Sequence, residues 1–427
     1  MKVFKFGGAS VKNAEGVKNI ATILLQQNAN NIVVVVSAMG KTTNAFEKVL
    51  TEYFNNSKNT LESLNSIKHF HIEIINNLFQ TEIKVSLINE ISDIFENISK
   101  YIYNNVPPIN YDFEYDQIVS WGEIISTKIV YSYLLEQNIN SKWLNAKELI
   151  KTDSNYRNAK VNWELTCKNC NSLITKSFKK INIIITQGFI GSDTQNNTTT
   201  LGREGSDFTA GIIAHAIEAT DVTIWKDVPG LLNADPKWFD DTVKLNNISY
   251  HEAIELAYYG ASVIHPKTIQ PIKTKNIPLF VKSFLNPAEN GSVINNNTSE
   301  DSKIPSFIFR VNQILISIST DDYTFIVEEN LSLIFGIFAS HKASINLMEN
   351  SSISFSVVVD YDERKINPLI KELQKHYKVL YNVNVELATI LNYDKKTIKR
   401  VTNNKEILIS QQSRKTVRFV MKDLRGN

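Results

Sequence analysis

Residues 198–210, TTTLGREGSDFTA, set Gly202, Gly205, Arg203, Ser206 and Asp207 in a polar loop that runs into an apolar helical pattern, FTAGIIAHAI. Glycine lets backbone approach a ligand closely, and a helix start offers free N–H groups and the positive end of its dipole. That combination holds anions, phosphate above all. Arg203 adds a planar fork suited to a carboxylate or a phosphate. A second anion grip, KFGGAS, spans residues 5–10. It lies between a short apolar run, MKVFKF, and a helical pattern, VKNAEGVKNIATILLQQ, so it reads as strand, glycine turn, helix. Gly7 and Gly8 there point consecutive N–H groups at a phosphate, and Lys5 supplies a mobile point charge.

Two better-known phosphate motifs are absent. Gly40-Lys41-Thr42 resembles the tail of a P-loop, but that motif needs a glycine five residues earlier, and position 35 is Val35. No G-x-G-x-x-G occurs, which argues against the usual dinucleotide fold.

The elements that must position these residues follow from length and pattern. A chain of 427 residues suggests two or three domains, and a hydrophobic fraction of 43% fills real cores. The 46 basic and 44 acidic residues leave a net charge of +2. That balance gives no global field for nucleic acid or an anionic membrane, so neither is expected as a partner. No apolar run approaches the roughly 20 residues of a membrane helix, and the chain opens on a strand rather than a signal peptide. A cytoplasmic location is expected. The two cysteines, Cys167 and Cys170, have C-x-x-C spacing. A zinc site needs two further ligands and a redox pair belongs at a strand–helix junction, whereas these fall inside a helical pattern, NWELTCKNCNSLITKSF. They read as ordinary helix cysteines.

Residues 1–295 alternate strands and helices. Strand candidates are KVFKF, NIVVVVSA (31–38), NIIITQGFI (182–190), VTIWKD (222–227) and IPLFVKSF (277–284). Several are almost wholly apolar, as in central strands covered on both faces. This is an α/β layered sandwich, with a helical insertion over 44–103 that serves as a lid or a packing element. A polar linker, residues 286–305, marks the domain boundary. After it the pattern changes to short βαββαβ units over 305–427. ILISIST opens the first and KVLYNV closes it. The second begins at VNVELATILNY and stops one helix and one strand short. SFIFRVN (306–312) reads as a separate strand that completes the second unit's sheet, so that the two units interleave. Two such sheets suit a small-ligand sensor.

The chain resembles an aspartate kinase of the amino-acid kinase family followed by tandem ACT regulatory domains. The resemblance covers nearly the whole chain. It rests on an ordered set of segments: KFGGAS, VVSAMGKTTN, VSWGEIIST, TQGFIGS, TTTLGREGSD, IWKDVPGLLNADP, YYGASVIHP and ASINLMENSSISFSVVVD. It implies an αβα sandwich with two interleaved ferredoxin-like domains. It implies transfer of the ATP γ-phosphoryl group, with Mg²⁺, to the side-chain carboxylate of L-aspartate, the first step towards lysine, threonine and methionine. Phosphoryl transfer asks a protein mainly for positioning and charge stabilisation. The acceptor carboxylate is already ionised at neutral pH, so no general base is needed.

Carried over residue by residue, the resemblance makes Lys5 and Asp207 catalytic, with Gly7, Gly8 and Ser10 donating to phosphates. Arg203 becomes the fork for the α-carboxylate of aspartate and Glu123 the partner of its ammonium, while Ser37, Thr43 and Ser206 hydrogen-bond it. Nucleotide contacts fall to Lys226, Asp227, Leu232, Asp235, Pro236 and Lys237. In the ACT region, Ser344, Ile345, Asn346, Asn350 and Ser351 face an effector, lysine or threonine, in a homodimer. Asn346 stands where lysine-sensitive relatives can have Asp, which leaves the effector open.

Ordinary readings stand beside these. Lys5 could be a surface lysine, Glu123 a first-turn carboxylate, Asp207 an N-cap. Arg203 could pair with Glu204, and Asp235-Pro236 could be only a turn. His265-Pro266 reads as structural. The chain departs from the family pattern at Ala9, Glu204, Lys226, Leu232 and Ser262. Carbamate, acetylglutamate and uridylate kinases share the fold, and a catalytically dead domain that only binds amino acids is the alternative from another class.

Overall fold

The computed structural model describes residues 1–27, 30–105, 110–261, 264–320, 322 and 324–424. Contacts divide the chain into two units. The first comprises Met1–Leu231, Lys244–Ile254 and Val263–Ser299; the second comprises Leu232–Val243, Glu255–Ser262 and Glu300–Asn427.

The first unit is built on an eight-stranded sheet. Its strands include β1 (Lys2–Phe6), β2 (Ile32–Val36), β3 (Ser141–Trp143) and β4 (Ile183–Gln187). The short hairpin β5 (Ile190–Ser192) and β6 (Thr198–Thr200) pairs apart from it, and β7 (Asp221–Lys226) returns to it. Across the sheet the order is Asn247–Ser249, Ser292–Asn295, Leu279–Ser283, β7, β1, β2, β4, β3. Every pairing is parallel except that between Leu279–Ser283 and Ser292–Asn295. All five residues of β2, IVVVV, are buried, as a strand covered on both faces requires.

Helices supply the covering layers: α1 (Ala14–Gln26), α2 (Thr42–Phe54), α3 (Thr60–Leu78), α4 (Ile83–Asn104), α5 (Tyr111–Val119), α6 (Trp121–Glu136), α7 (Ala146–Leu149), α8 (Trp163–Ser177) and α9 (Gly205–Ala216). One face of the sheet, through Phe4, Phe6, Val34 and Val36, shares a core with α1, α2, α3, α4 and α6. The 44–103 insertion is therefore a packing element: Leu64, Ile75, Leu87, Ile91 and Phe95 are all buried in that core. The chain's many asparagines cap helices. Asn13, Asn110, Asn145 and Asn162 accept N–H bonds at the starts of α1, α5, α7 and α8. Cys167 and Cys170 lie within α8, both free, and burial pushes the Cys170 thiol up to about 12. A thiol held that far up is protonated and a poor nucleophile.

The second unit corrects the strand reading. SFIFRVN and ILISIST are one strand, Ser306–Ser319, and KVLYNV and VNVELATIL are one strand, Lys378–Leu391. These long strands run antiparallel with register shifts near Arg310 and Gln313. Asn312 (φ 54°) and Asn384 (φ 56°) take the left-handed conformation there, which asparagine adopts more readily than most residues. The result is one antiparallel six-stranded sheet, ordered Ile345–Asn350, Ser354–Asp360, Ser306–Ser319, Lys378–Leu391, Thr416–Asp423, Lys405–Gln412. The first half is a βαββαβ unit and the second a βαββ unit, and they do interleave: residues 306–310 pair with 387–391 and supply the second half's missing strand. Helices Glu328–Ser340 and Glu363–Leu373 cover the first half, and Lys395–Thr402 covers the second.

Candidate active site

A cavity of about 630 Å³ opens where β1, β2, β4 and β7 end. Parallel sheets bind ligands at their carboxyl ends, because there the loops diverge and helices present their N-termini. Lys5 comes from the end of β1; Ser37, Ala38, Gly40 and Thr43 follow β2; Phe189 follows β4; Lys226 ends β7. The loop after β6 and the first turn of α9 add Gly202 to Asp207, and Glu123 enters from the first turn of α6.

Lys5 and Asp207 form the centre. Lys5 Nζ lies 2.5 Å from Asp207 Oδ1, and the two side chains are only 10% and 6% exposed. Lys226 Nζ stands 4.0 Å from the other Asp207 oxygen. A buried carboxylate between two ammonium groups orients both of them. Asp207 sits in the first turn of α9, while the cap position belongs to Glu204, so Asp207 is not the N-cap. Glu204 (φ 55°) and Gly202 (φ 79°) are both left-handed, and that backbone carries Arg203 past the cavity. Arg203 is exposed, lines the cavity and forms no ion pair with Glu204.

The glycine turn is tighter than a simple strand-to-helix junction. Residues Gly8–Val11 form a 3₁₀ turn, and α1 starts only after Asn13. Gly8 is wedged against the β2 loop: a Cβ there would lie 2.8 Å from the Ala38 carbonyl oxygen and 2.9 Å from that of Gly40. Gly8 lines the cavity; Gly7 and the buried Ser10 shape the turn behind it, the Ser10 N–H donating to Gly7 O at 2.9 Å.

Glu123 is buried and faces the same space. Its Oε1 accepts from the Ala38 N–H at 3.4 Å, and its Oε2 has no hydrogen-bond partner. Burial pushes the carboxyl up to about 8. An unpaired buried carboxyl oxygen in a cavity wall is a polar group left without its partner.

Nine of the expected residues thus converge: Lys5, Gly8, Ser37, Thr43, Glu123, Arg203, Ser206, Asp207 and Lys226. Asp227 is exposed beyond the end of β7 and does not line the cavity. Leu232, Asp235, Pro236 and Lys237 belong to the second unit, where the Asp235 side chain accepts from the Lys237 N–H at 2.9 Å and makes a turn. Ser262 lies outside the described residues. His265 is structural, its Nδ1 accepting from the Lys267 N–H at 3.1 Å to cap Pro266–Thr274.

Sequence reading missed Glu47, Tyr115, Arg157 and Phe189 in the cavity wall. The Tyr115 hydroxyl donates to Glu47 at 2.8 Å, and the Arg157 guanidinium lies 4.6 Å from the Tyr115 ring centre. No glycine pattern or charge pairing marks NYRNA in the sequence. Only folding brings that loop to the site.

Of the expected effector residues, Ile345, Asn346 and Asn350 lie on the edge strand Ile345–Asn350, with Ser344 before it and Ser351 in the following turn. Asn346 is already engaged, donating to Gln313 at 2.8 Å and to Asp360 at 3.1 Å.

Residues 1–283 match the amino acid kinase family model. Lysine-sensitive aspartokinase 3 of Escherichia coli (strain K12) is 30% identical over 362 residues, 84% of this chain and 78% of that protein. The bifunctional aspartokinase/homoserine dehydrogenase of Buchnera aphidicola is 30% identical over 400 residues, 90% of this chain but 46% of that protein, so the chain spans about half of that relative. The crystal structure of E. coli aspartokinase III in complex with lysine and aspartate superposes with a TM-score of 0.82 at 26% identity, covering 100% of this chain and 96% of that one. The same enzyme in complex with aspartate and ADP gives 0.80 at 26% identity, with the same coverage. On these grounds the chain belongs to the amino acid kinase family, among its aspartokinases.

Proposed function

We propose that the first unit transfers the γ-phosphoryl group of ATP to the side-chain carboxylate of L-aspartate, giving 4-phospho-L-aspartate and ADP. The observation that carries this reading is the convergence in one cavity of the buried Lys5–Asp207 pair, the unpaired Arg203 and the orphaned Glu123 oxygen. An amino acid with two carboxylates needs such a set. Glu123 takes the ammonium, Arg203 the α-carboxylate, and Ser37, Thr43 and Ser206 the remaining polar edges. The side-chain carboxylate is left facing the phosphate end.

The β-carboxylate oxygen attacks the γ-phosphorus as the bond to the β,γ-bridging oxygen breaks, and the electron pair leaves with ADP. Both reactants are anions, so their approach depends on cations already in place. Lys5 holds its charge at the line of transfer because Asp207 orients it, and Gly8 lets backbone close on the phosphates. Asp207 would help to hold a Mg²⁺ carried by the nucleotide, and that ion would supply neutralisation of phosphate charge. Asp227 remains a candidate for nucleotide contact. The second unit is read as a regulatory pair of ACT domains, with lysine or threonine as effector near residues 344–351. Pairing of copies through the edge strand Ile345–Asn350 would give a homodimer, in the cytoplasm. No helix of the described residues is long and apolar enough to cross a membrane.

Hydroxamate trapping of acyl phosphate from ATP and L-aspartate tests the reaction, and repeats with added lysine and threonine test the regulation. Turnover of carbamate or UMP in place of aspartate would overturn the substrate assignment.

A further inference from the structure

Asp116 of α5 is completely buried, yet it lies outside the cavity wall. Its carboxylate accepts from three groups on two separate segments. The Arg157 backbone N–H donates to both oxygens, at 3.0 and 3.2 Å. The Thr200 N–H donates to Oδ2 at 2.8 Å, and the Thr200 hydroxyl donates to Oδ1 at 2.6 Å. The two segments also touch directly: the Ala159 N–H donates to Thr200 O at 3.0 Å. Beyond Thr200, Gly202 packs so closely that a Cβ there would meet Asn158 Oδ1 at 3.0 Å and Arg157 O at 3.1 Å. Arg157 itself is left-handed at φ 65°, a conformation that a bulky residue keeps only when its surroundings enforce it.

Each clamped segment delivers one guanidinium to the cavity, Arg157 from the first and Arg203 from the second. Arg157 is held from the far side by Asp112 at 3.0 Å, and its plane lies over Tyr115. We propose that Asp116 is a positioning residue that fixes the spacing between Arg157 and Arg203, and that this spacing selects a small amino acid carrying two carboxylates. Arg157 joins Arg203 as a contact for substrate carboxylate. This inference rests on the aspartate-phosphorylating reading above. The physical reason for a carboxylate is that its two oxygens accept from both segments at once. An amide offers one such oxygen and turns its NH₂ against an N–H donor.

The test uses full-length Asp116→Asn and, as a milder probe, Thr200→Val, which removes only the hydroxyl bond. Hydrogen exchange followed by mass spectrometry reads the clamp without any substrate. Amides of residues 156–159 and 198–203 should exchange about tenfold faster in Asp116→Asn, the scale of one lost charge-assisted bond. The KM for aspartate should rise on the order of tenfold or more, as expected when substrate-positioning groups shift, while the KM for ATP stays within about twofold. Thr200→Val should move both readouts the same way by less, and it decides the matter if Asp116→Asn does not fold. Unchanged exchange in these segments would overturn the clamp, and equal rises in both KM values would overturn its role in selection. A wild-type protein that makes no acyl phosphate from aspartate would refute the functional reading instead, leaving the exchange comparison to judge Asp116.

Discussion

Lys5 Nζ lies 2.5 Å from Asp207 Oδ1, although the first residue stands near the end of a sheet strand and the second in the first turn of a helix far along the chain. Neither side chain is more than 10% exposed. Burying such a pair is expensive unless each partner is held in place, so the arrangement points to use rather than to stability alone.

Lys5→Ala should lower kcat by about 10²-fold or more, the scale for removing one charge-stabilising group. It should also destabilise the fold, because Asp207 loses its nearest counter-charge. The double variant with Asp207→Asn should lose less than the sum of the single losses. Steady-state kinetics with thermal melts check this, and a kcat near wild type for Lys5→Ala would remove Lys5 from the line of transfer.

Glu123→Gln should raise the KM for aspartate while stabilising the free protein at alkaline pH. Burial holds the Glu123 carboxyl up at about 8, against an ordinary 4.5. Between those values the folded chain keeps a proton that the unfolded chain releases, so wild-type stability falls as pH rises across that window. The variant lacks this titration. Its melting temperature should exceed that of wild type by more at pH 8 than at pH 5. A constant difference would show that Glu123 is ionised in the free protein.

Gly8→Ala should cripple turnover, because the new methyl group would lie 2.8 Å from the Ala38 carbonyl oxygen and force the glycine turn away from the β2 loop. A similar change at Gly336, where nothing lies within 4 Å, should be tolerated. Kinetics on both variants give the comparison. Wild-type kcat/KM for ATP in Gly8→Ala would mean that the turn does not need this close approach.

His71 should make the helical insertion acid-sensitive. It is fully buried among Phe70 and Phe95, donates from Nδ1 to Ile67 O at 2.8 Å, and burial lowers its pKa from 6.5 to about 4. Above pH 6.5 it is neutral in both states. As pH falls from 6.5 towards 4, the unfolded chain takes a proton that the folded chain refuses, and stability is lost. His71→Leu should flatten the fall in melting temperature between pH 7 and pH 5. An unchanged slope would assign that acid sensitivity to other groups.

Much of this was readable from local pattern. The runs KVFKF and IVVVV identify central strands because a strand covered on both faces must be apolar throughout, and Lys5, Arg203 and Asp207 stand out because glycines flank them. Asp116, Arg157 and Tyr115 carry no such mark. Asp116 looks like any helix-surface carboxylate until the fold buries it against Arg157 and Thr200. The long strands Ser306–Ser319 and Lys378–Leu391 each read as two separate strands, whereas pairing on both sides carries them through the left-handed residues Asn312 and Asn384.

The order of strands and helices, the glycine turns and the types of residue available for phosphate and carboxylate were fixed by the sequence alone, since each depends on backbone freedom and hydrophobic period over a few neighbours. Which of those residues meet was decided by the parallel sheet. Placing β7, β1, β2 and β4 side by side brings their carboxyl ends to one rim, so that Lys5, Glu123 and Asp207 share a cavity. The shifted protonation of Glu123 is likewise a tertiary property, because burial depends on the packing of distant segments and no short stretch of chain encodes it.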